Sequence, residues 1–292
     1  MESIIEQIIN GLRTGSIYAL IALGYTMVYG IAKMINFAHG DIIMVGAYSL
    51  YVFISKLHIP VFFAVLLSIL VCALLGIAME KVAYKPLRNA PPLAVLITAI
   101  GMSFLLQSLA LLIFKANPIP FKSIIKLAPV KVGSITIAGI SIITFLVTTI
   151  IMLSLTLFIH YTRSGRAMRA VSEDREAAQL MGIDVNHTIS MVFAIGSALG
   201  AVAGILYVCQ YQTLQPTLGA LPGIKAFVAA VFGGIGSVPG AMLGGILLGV
   251  IESISKAYIS SELADAIVFG VLVLVLLLKP SGLLGKNRIE KV

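Results

Sequence analysis

The chain has 292 residues, of which 59% are hydrophobic and only 11% are charged, and its mean hydropathy is +1.07. Soluble domains carry about 25% charged residues, so this composition excludes an ordinary soluble protein and indicates an integral membrane protein. The net charge of +8 comes from basic residues at the ends of apolar segments, which is typical of membrane proteins and does not indicate a nucleic-acid partner.

Continuous apolar runs, most of them close to the roughly 20 residues that a helix needs to cross a bilayer, predict about eight membrane segments. Because the runs do not alternate with period two, we expect an all-α polytopic membrane protein rather than a barrel, in a single domain over 1–292. Both cysteines, Cys72 and Cys209, fall within apolar runs, so neither a disulfide nor a metal site is expected. The predicted segments are 4–30, 41–55, 60–80, 93–114, 135–160, 188–210, 224–255 and 262–278.

A polar motif lies between the first and second segments. His39 and Asp41 could suggest metal or proton chemistry, but two candidate ligands do not make a metal site. A proton relay is conceivable because imidazole titrates near neutrality. We favour a role in capping and tethering a helix break. The motif reads NFAHG and consists of Asn36, Phe37, Ala38, His39 and Gly40.

Polar residues inside the fourth segment form a second candidate group, made of Thr98, Ser103 and Gln107. Among small and apolar neighbours, these side chains could supply the polar contacts of a transport path. They could equally hydrogen-bond to neighbouring helices, as such residues do in membrane proteins.

The longest polar stretch is the loop 161–187, which holds four arginines and four acidic residues between two apolar runs. Ser172 suits the N-cap of a helix, and Gly182 suits the left-handed position after its end. We therefore predict a short helix at 173–181, with Leu180 and Met181 available for apolar contact. Nine residues span only about 14 Å, so this helix needs a surface to dock on.

Glycine patterns predict both close helix packing and a break. Glycines at 196, 200 and 204 share one helix face and would let another helix approach closely. The run 224–255 contains a stretch that is poor in helix formers, so it is predicted to form two pieces, 224–232 and 238–255, of a broken re-entrant hairpin. The turn between them contains Gly233, Gly234, Gly236, Pro239 and Gly240.

A hairpin at this position also satisfies the topology. If the loop 161–187 and the tail from Lys279 are both cytoplasmic, the segments between them must make an odd number of net crossings. Most of the 20 basic residues then fall on the cytoplasmic side, as expected, including Lys286, Arg288 and Lys291 in the tail. Lysines in the predicted outer loop 115–134 weaken this bias.

Ionisable residues are scarce within the predicted segments. The scarcity argues against a proton-coupled or sodium-coupled carrier, in which buried charges usually mark the ion path. The candidates lie toward predicted segment ends: Arg13, Lys225, Glu252, Glu262 and Asp265.

Three motifs together resemble a known family. EAAQLMG, from Glu176 to Gly182, is similar to the EAA motif of bacterial ABC importer permeases. Together with NFAHGDIIMVGAY before it and FGGIGSVPGAMLGG after it, it resembles the LivH-type permeases of branched-chain amino acid ABC transporters. The similarity extends over nearly the whole chain.

The resemblance implies a coupling helix in the cytoplasmic loop that docks on an ATPase subunit. Its contact residues would be Glu176, Ala177, Ala178 and Gly182. Arg166 and Arg169 would either meet acidic groups on the ATPase or hold the loop at the lipid surface; we favour the second role.

The resemblance also implies the partners and the location. These are two ATPase subunits that bind ATP and Mg²⁺, a second homologous permease, and an extracytoplasmic solute-binding protein, in a bacterial or archaeal inner membrane. No G-x-x-x-x-G-K-[ST] loop occurs in the sequence, so ATP is expected on other chains. The expected cargo is leucine, isoleucine, valine or a related hydrophobic amino acid.

Three alternatives stay open at this point. Related permeases that import urea or short amides share these motifs. A self-contained secondary carrier or channel is a different class of transporter. A membrane enzyme is the third, but no metal cluster or paired acids favour it.

Overall fold

A computed structural model describes residues 2–88, 90–132 and 135–285, and the tail residues Lys286, Arg288 and Lys291 lie outside these ranges. The described residues form eleven α-helices and four very short strands, which confirms the predicted all-α polytopic class. The helices are α1 Glu2–Ala32, α2 His39–Tyr51, α3 Val61–Met79, α4 Pro92–Phe114, α5 Gly139–Tyr161, α6 Arg163–Glu173, α7 Arg175–Leu180, α8 Val185–Tyr211, α9 Ala220–Gly233, α10 Val238–Tyr258 and α11 Ala264–Leu278.

Two helices continue beyond these bounds in other helical forms. A π-helical turn, Val52–Lys56, extends α2, and α3 continues through a π-helical turn, Glu80–Tyr84, into the 3₁₀ turn Lys85–Leu87. Six of the helices, α1, α3, α4, α5, α8 and α10, are long and apolar enough to cross a membrane, and α9 and α11 are shorter apolar helices. Each predicted apolar run therefore contains helix, although the first residues of the predicted segment 135–160 form a strand.

The strands lie in the connections that follow α4 and α8, except Ile135–Ile137, which occupies the start of the predicted segment 135–160 because helix α5 begins only at Gly139. Val130–Val132 (β2) pairs antiparallel with Ile135–Ile137 (β3). Ile119–Pro120 (β1) pairs with Thr213–Leu214 (β4), which ties the connection after α4 to the end of α8.

The first helix is the centre of the fold. In α1, 89% of the most apolar window is buried inside the protein, whereas in α3, α4 and α5 the buried share is 17–22%. These three helices expose large apolar side chains such as Phe104, Leu112 and Leu153. Such a surface suits lipid contact, and α1 is surrounded by protein.

Glycines bring the central helices together. A Cβ added to Gly249 of α10 would collide with the backbone of Gly15 in α1, and one added to Gly204 of α8 would collide with the carbonyl oxygen of Ile43 in α2. The predicted glycine face of the 188–210 segment therefore packs on α1 and α2. Small residues allow this close approach, which membrane helices need because burial of apolar area does not drive their association.

The run 224–255 is broken where the sequence predicts. Helix α9 has 14 residues, about 21 Å at 1.5 Å per residue, which is too short to cross a bilayer. Gly234 (φ +105°) and Gly236 (φ +91°) adopt left-handed conformations that favour glycine. Pro239 lies in the first turn of α10, and the Ser237 hydroxyl caps that helix by accepting from the Gly240 N–H at 3.2 Å.

Candidate functional site

The loop 161–187 forms two helices, α6 and α7, where the sequence predicts one. Helix α7 covers the predicted site, but its N-cap is Asp174 and the expectation for Ser172 is wrong, because Ser172 lies inside α6. The Asp174 carboxylate accepts from the N–H groups of Glu176 at 2.9 Å and Ala177 at 3.0 Å. A charged carboxylate that meets two free N–H groups is a strong cap.

The predicted end of α7 is confirmed. Gly182 has φ +82°, and its N–H donates to the carbonyl oxygen of Gln179 at 3.0 Å. The N–H of Ile183 donates to the carbonyl oxygen of Ala178, also at 3.0 Å. These two bonds form a Schellman motif, which requires a left-handed residue after the helix.

The side chains of α7 divide into a buried and an exposed set. Ala178 is buried, whereas Glu176, Ala177 and Gly182 are exposed. The neighbouring Leu180 and Met181 are 89% and 82% exposed. Apolar side chains this exposed on a polar loop are available for contact with another protein or with the membrane.

The two α6 arginines hold the loop against its own protein. Arg166 donates to the carbonyl oxygen of Tyr161 at 3.2 Å, and Arg169 donates to that of His160 at 3.3 Å. Both carbonyls lie at the end of α5, where cations are favoured by the helix dipole. Both arginines are exposed, so they remain accessible to a partner or to lipid.

An arginine that sequence reasoning did not single out ties α7 to the core. The Arg175 guanidinium donates a hydrogen bond to the carbonyl oxygen of Ala32, the last residue of α1. Burial, and secondly the nearby Arg88, lower the pKa of Arg175 below its usual range. Local sequence gives no signal for this contact, because its partners lie 143 positions apart.

A polar network fixes the start of α8, next to the loop. Glu80, whose side chain is fully buried, forms an ion pair with Arg88 and accepts from the Ser190 hydroxyl at 2.6 Å. Arg88 also donates to the side-chain oxygen of Asn186 at 2.5 Å. The loop helices therefore lie between α5 on one side and this network on the other.

The NFAHG motif lies at a helix break, as predicted, but it does not cap α2 through a side chain. The N-cap of α2 is Ala38, which makes no side-chain cap hydrogen bond. Asn36 provides the tether, because its side-chain oxygen accepts from the hydroxyl of the fully buried Tyr84 at 2.7 Å. Phe37 packs on Phe227, with ring centroids 5.4 Å apart.

His39 is buried between helices. Its ring meets Tyr25 edge-on at 4.7 Å, and a Cβ added to Gly24 would collide with it. Its Nε2 has no hydrogen-bond partner among the described residues. Within the same residues, no group of three or more metal-ligating side chains occurs, and the packing role accounts for the position of His39.

The three sequence motifs meet around the end of α1. Gly236 of the α9–α10 turn approaches α1 so closely that a Cβ on Gly30 would lie 3.1 Å from its Cα. Arg175 binds Ala32 two residues later, and Asn36 follows in the same connection. Motifs that are far apart in the sequence thus share one end of the central helix.

A cavity of about 250 Å³ lies between α2, α4 and α9. Ser103 and Gln107 line it together with Asp41, and the Gln107 amide donates to the Asp41 carboxylate at 2.9 Å and to the Ser103 hydroxyl at 3.2 Å. Thr98 is half-buried and does not line this cavity. The remaining lining residues are Tyr25, Phe37, Gly40, Ile100, Ala220, Gly223 and Ile224.

Two short helices begin at this cavity. Gly40 in the first turn of α2 contacts Gly219, the residue that precedes α9, so closely that a Cβ on Gly40 would lie 2.6 Å from the Gly219 carbonyl oxygen. The two helices run away from this contact in the sequence directions His39–Tyr51 and Ala220–Gly233. Their N-terminal ends therefore meet beside the cavity.

Charged side chains that the sequence places near segment ends form a cluster of ion pairs in the structure. Lys225 and Glu252, expected near segment ends, form a buried ion pair at 2.8 Å. Glu252 also accepts from the Tyr18 hydroxyl at 2.8 Å and pairs with Lys256 at 2.5 Å. Lys225 pairs in addition with Asp265 at 2.6 Å. Two cations and two anions form this cluster, so its charges balance.

Discontinuous helices whose ends meet at a cavity within a bundle of membrane helices are typical of membrane transport proteins. Residues 7–276 match the family described as branched-chain amino acid transport system / permease component. The chain belongs to this family, and it is a transport permease subunit rather than an enzyme.

Full-length relatives support the assignment. The high-affinity branched-chain amino acid transport system permease protein BraD of Pseudomonas aeruginosa is 45% identical over 300 residues, covering 99% of this chain and 98% of the relative. LivH of Escherichia coli K12, of the same description, is 44% identical over 301 residues and covers 99% and 97%. A probable LivH of Methanocaldococcus jannaschii is 28% identical over 286 residues and covers 92% and 89%.

Proposed function

We propose that this chain is one membrane subunit of an ATP-driven importer of leucine, isoleucine, valine or related hydrophobic amino acids. The family match and the names of relatives at 43–45% identity support this cargo. The observation that carries the proposal is the loop helix α7, which exposes Leu180 and Met181 and is hydrogen-bonded to the central helix through Arg175.

In this proposal α7 is the coupling helix. A groove on an ATPase subunit receives the exposed side of α7 and the residues that end it, which are Glu176, Ala177, Leu180, Met181 and Gly182. Ala178 faces the permease. Arg166 and Arg169 hold α6 on the end of α5, so the two loop helices move with the membrane helices. A push on α7 is then transmitted to α1 as movement of a packed element.

The whole chain, 1–292, acts as one permease domain in a bacterial or archaeal cell (inner) membrane. Its partners are two ATPase subunits, a second homologous permease and an extracytoplasmic solute-binding protein. ATP and Mg²⁺ bind to the ATPase subunits, and this chain binds no cofactor. Its own task is to open a path alternately to each side of the membrane.

The path includes the cavity between α2, α4 and α9. Ser103 and Gln107 supply polar contacts there, and the apolar lining suits a branched side chain. The NFAHG break supplies irregular backbone beside it, since Phe37 and Gly40 line the cavity, and the glycine turn Gly233–Gly240 supplies more at the other end of α9. Backbone of this kind is tolerated at membrane depth where protein or a water-filled cavity surrounds it, and it can move without unfolding a long helix.

A substitution at the α7 surface tests the coupling. The complex is reconstituted in vesicles with the ATPases and the loaded binding protein, and ATP-driven uptake of radiolabelled leucine is measured. We expect Glu176→Ala to abolish uptake while the chain still inserts and binds its homologous permease. Glu262→Ala, which replaces an exposed acidic residue outside the loop, is the acidic control. Normal uptake by Glu176→Ala would contradict the role of α7.

The cargo is tested on the binding protein. The amino acid that the cognate solute-binding protein retains after purification, identified by mass spectrometry, is expected to be leucine, isoleucine or valine. Retention of urea or a short amide would replace the branched-chain cargo and leave the ATP-driven mechanism in place.

A further inference from the structure

Three carboxylates are buried within the described part of the chain, and one of them differs from the others. Glu80, Glu252 and Asp41 are each at most 2% exposed. Glu80 pairs with Arg88, and Glu252 pairs with Lys225 and Lys256. Asp41 has no lysine, arginine or histidine within ion-pair distance among the described residues; its side-chain partners are two neutral groups, the amide of Gln107 and the hydroxyl of Ser103.

An ionised carboxylate without a cation is costly in a membrane protein, and such residues usually mark a functional site. Its position in the first turn of α2 supplies only part of the compensation, because the positive end of a helix carries about half an elementary charge. Asp41 lines the 250 Å³ cavity, so a cation that enters the cavity can reach it.

The other walls of the cavity define what that cation is attached to. Tyr25, Phe37, Ile100 and Ile224 offer rings and branched aliphatic groups. Ala220 and Gly223 bring the first turn of α9 to the same cavity, and the positive end of a helix favours a carboxylate. The space is slightly below the roughly 300–1,000 Å³ of pockets for drug-sized ligands, which suits one small molecule.

We propose that Asp41 binds the α-ammonium group of the amino acid cargo, in a site where the first turn of α9 faces its α-carboxylate and the apolar walls hold its side chain. Gln107 and Ser103 orient the Asp41 carboxylate, and they also hydrogen-bond to each other. This inference rests on the proposed function and adds a cargo site within the membrane subunit itself. No bond is made or broken there.

The test uses the complete complex in vesicles, with radiolabelled leucine as the probe and two readouts: ATP-driven uptake, and ATP hydrolysis stimulated by the leucine-loaded binding protein. We expect Asp41→Asn to lower uptake about tenfold or more, as loss of a buried charge pair does, while stimulated hydrolysis stays within about twofold of wild type. Asp41→Glu keeps the charge and should retain part of the uptake. Ser68→Ala, a buried hydroxyl that bonds only within its own helix, is the control.

A second variant covers the case in which Asp41→Asn does not assemble. Gln107→Lys places an ammonium group beside Asp41 from the protein itself. If Asp41 lacks a cation until the ammonium group of the cargo binds, this variant should unfold at a higher temperature than wild type and yet transport no leucine. If Asp41 is a structural residue with no need of a cation, Gln107→Lys buries an extra charge and should lower the unfolding temperature.

The outcomes separate the two proposals. Full uptake by Asp41→Asn, or an equal loss of uptake and of stimulated hydrolysis, overturns the cargo site and leaves the importer function standing. A lower unfolding temperature for Gln107→Lys also overturns it. If the wild-type complex takes up no branched-chain amino acid with ATP present, the proposed function itself fails.

Discussion

The guanidinium of Arg175 donates a hydrogen bond to the carbonyl oxygen of Ala32, and so it joins the first residue of the loop helix α7 to the last residue of the central helix α1. Carbonyls at a helix end lack partners within the helix, and a cation there is favoured by the dipole. The contact gives α7 a direct connection to the helix around which α8, α9 and α10 pack.

Removal of this contact should weaken coupling more than folding. A hydrogen bond to a charged group contributes about 1.5–3 kcal/mol, so we expect Arg175→Ala to reduce ATP-driven leucine uptake about tenfold with the complex still assembled. Arg163→Ala, an exposed arginine at the start of α6, should transport normally. Equal uptake by the two variants would show that the hydrogen bond between Arg175 and Ala32 does not contribute to coupling.

The left-handed residue after α7 gives a graded prediction. A non-glycine residue in this conformation costs roughly 1–2 kcal/mol, and a Cβ on Gly182 would meet no atom within 4 Å, so any effect comes from the backbone alone. We expect uptake to fall in the order Gly182, Gly182→Asn, Gly182→Ala, because asparagine tolerates the left-handed region better than alanine.

The matched control is Gly101→Ala in α4, which also has open space around a Cβ but no positive φ. It should transport leucine at the wild-type rate. An equal loss of uptake in Gly101→Ala and Gly182→Ala would remove the backbone explanation.

The buried pair of Glu80 and Arg88 should be more sensitive to the loss of one partner than to the loss of both. Loss of one member of a buried pair costs about 3–5 kcal/mol because it leaves a charge without compensation. Arg88→Met should therefore lower the unfolding temperature of the detergent-solubilised chain more than the double variant Glu80→Gln with Arg88→Met does. The opposite order would mean that Glu80 is stabilised by other groups.

Lys225 and Lys256 bind the same oxygen of Glu252 but should differ in their contribution to stability. The Lys256 side chain is 44% exposed, whereas that of Lys225 is 7% exposed. Exposed pairs contribute about 0–1 kcal/mol, so Lys256→Met should leave the unfolding temperature nearly unchanged, and Lys225→Met should lower it clearly. Similar effects of the two substitutions would contradict the difference in burial.

The sequence allows good prediction wherever the signal is local. The glycines and Pro239 predict the break between α9 and α10, and Gly182 predicts the end of α7, because these residues restrict the backbone at their own positions. The start of α7 is predicted two residues too early. Ser172 is a suitable N-cap, but the charged carboxylate of Asp174 is a stronger one, and it caps α7. The neighbouring α6 is missed because its cap is Thr162, whose hydroxyl accepts from the Gly165 N–H, whereas the prediction places the only helix start of the loop at Ser172.

The contacts that connect the motifs cannot be read from local patterns. Arg175 meets Ala32, Tyr84 meets Asn36, and Lys225 meets Glu252 only after the helices have packed. His39 and Asp41 show why such contacts are not predictable. The sequence places an acid close to a histidine, whereas in the fold Asp41 lines a cavity and His39 packs between helices.

The energy source for transport separates an ATP-driven importer subunit from a self-contained carrier. Leucine uptake is measured in vesicles that contain either the purified chain alone or the complete complex with its ATPases, its homologous permease and its binding protein. We expect uptake only by the complete complex and only with ATP and Mg²⁺ on the side of the membrane where the ATPase subunits lie. Uptake by the chain alone, down a proton or sodium gradient and without ATP, would contradict this expectation.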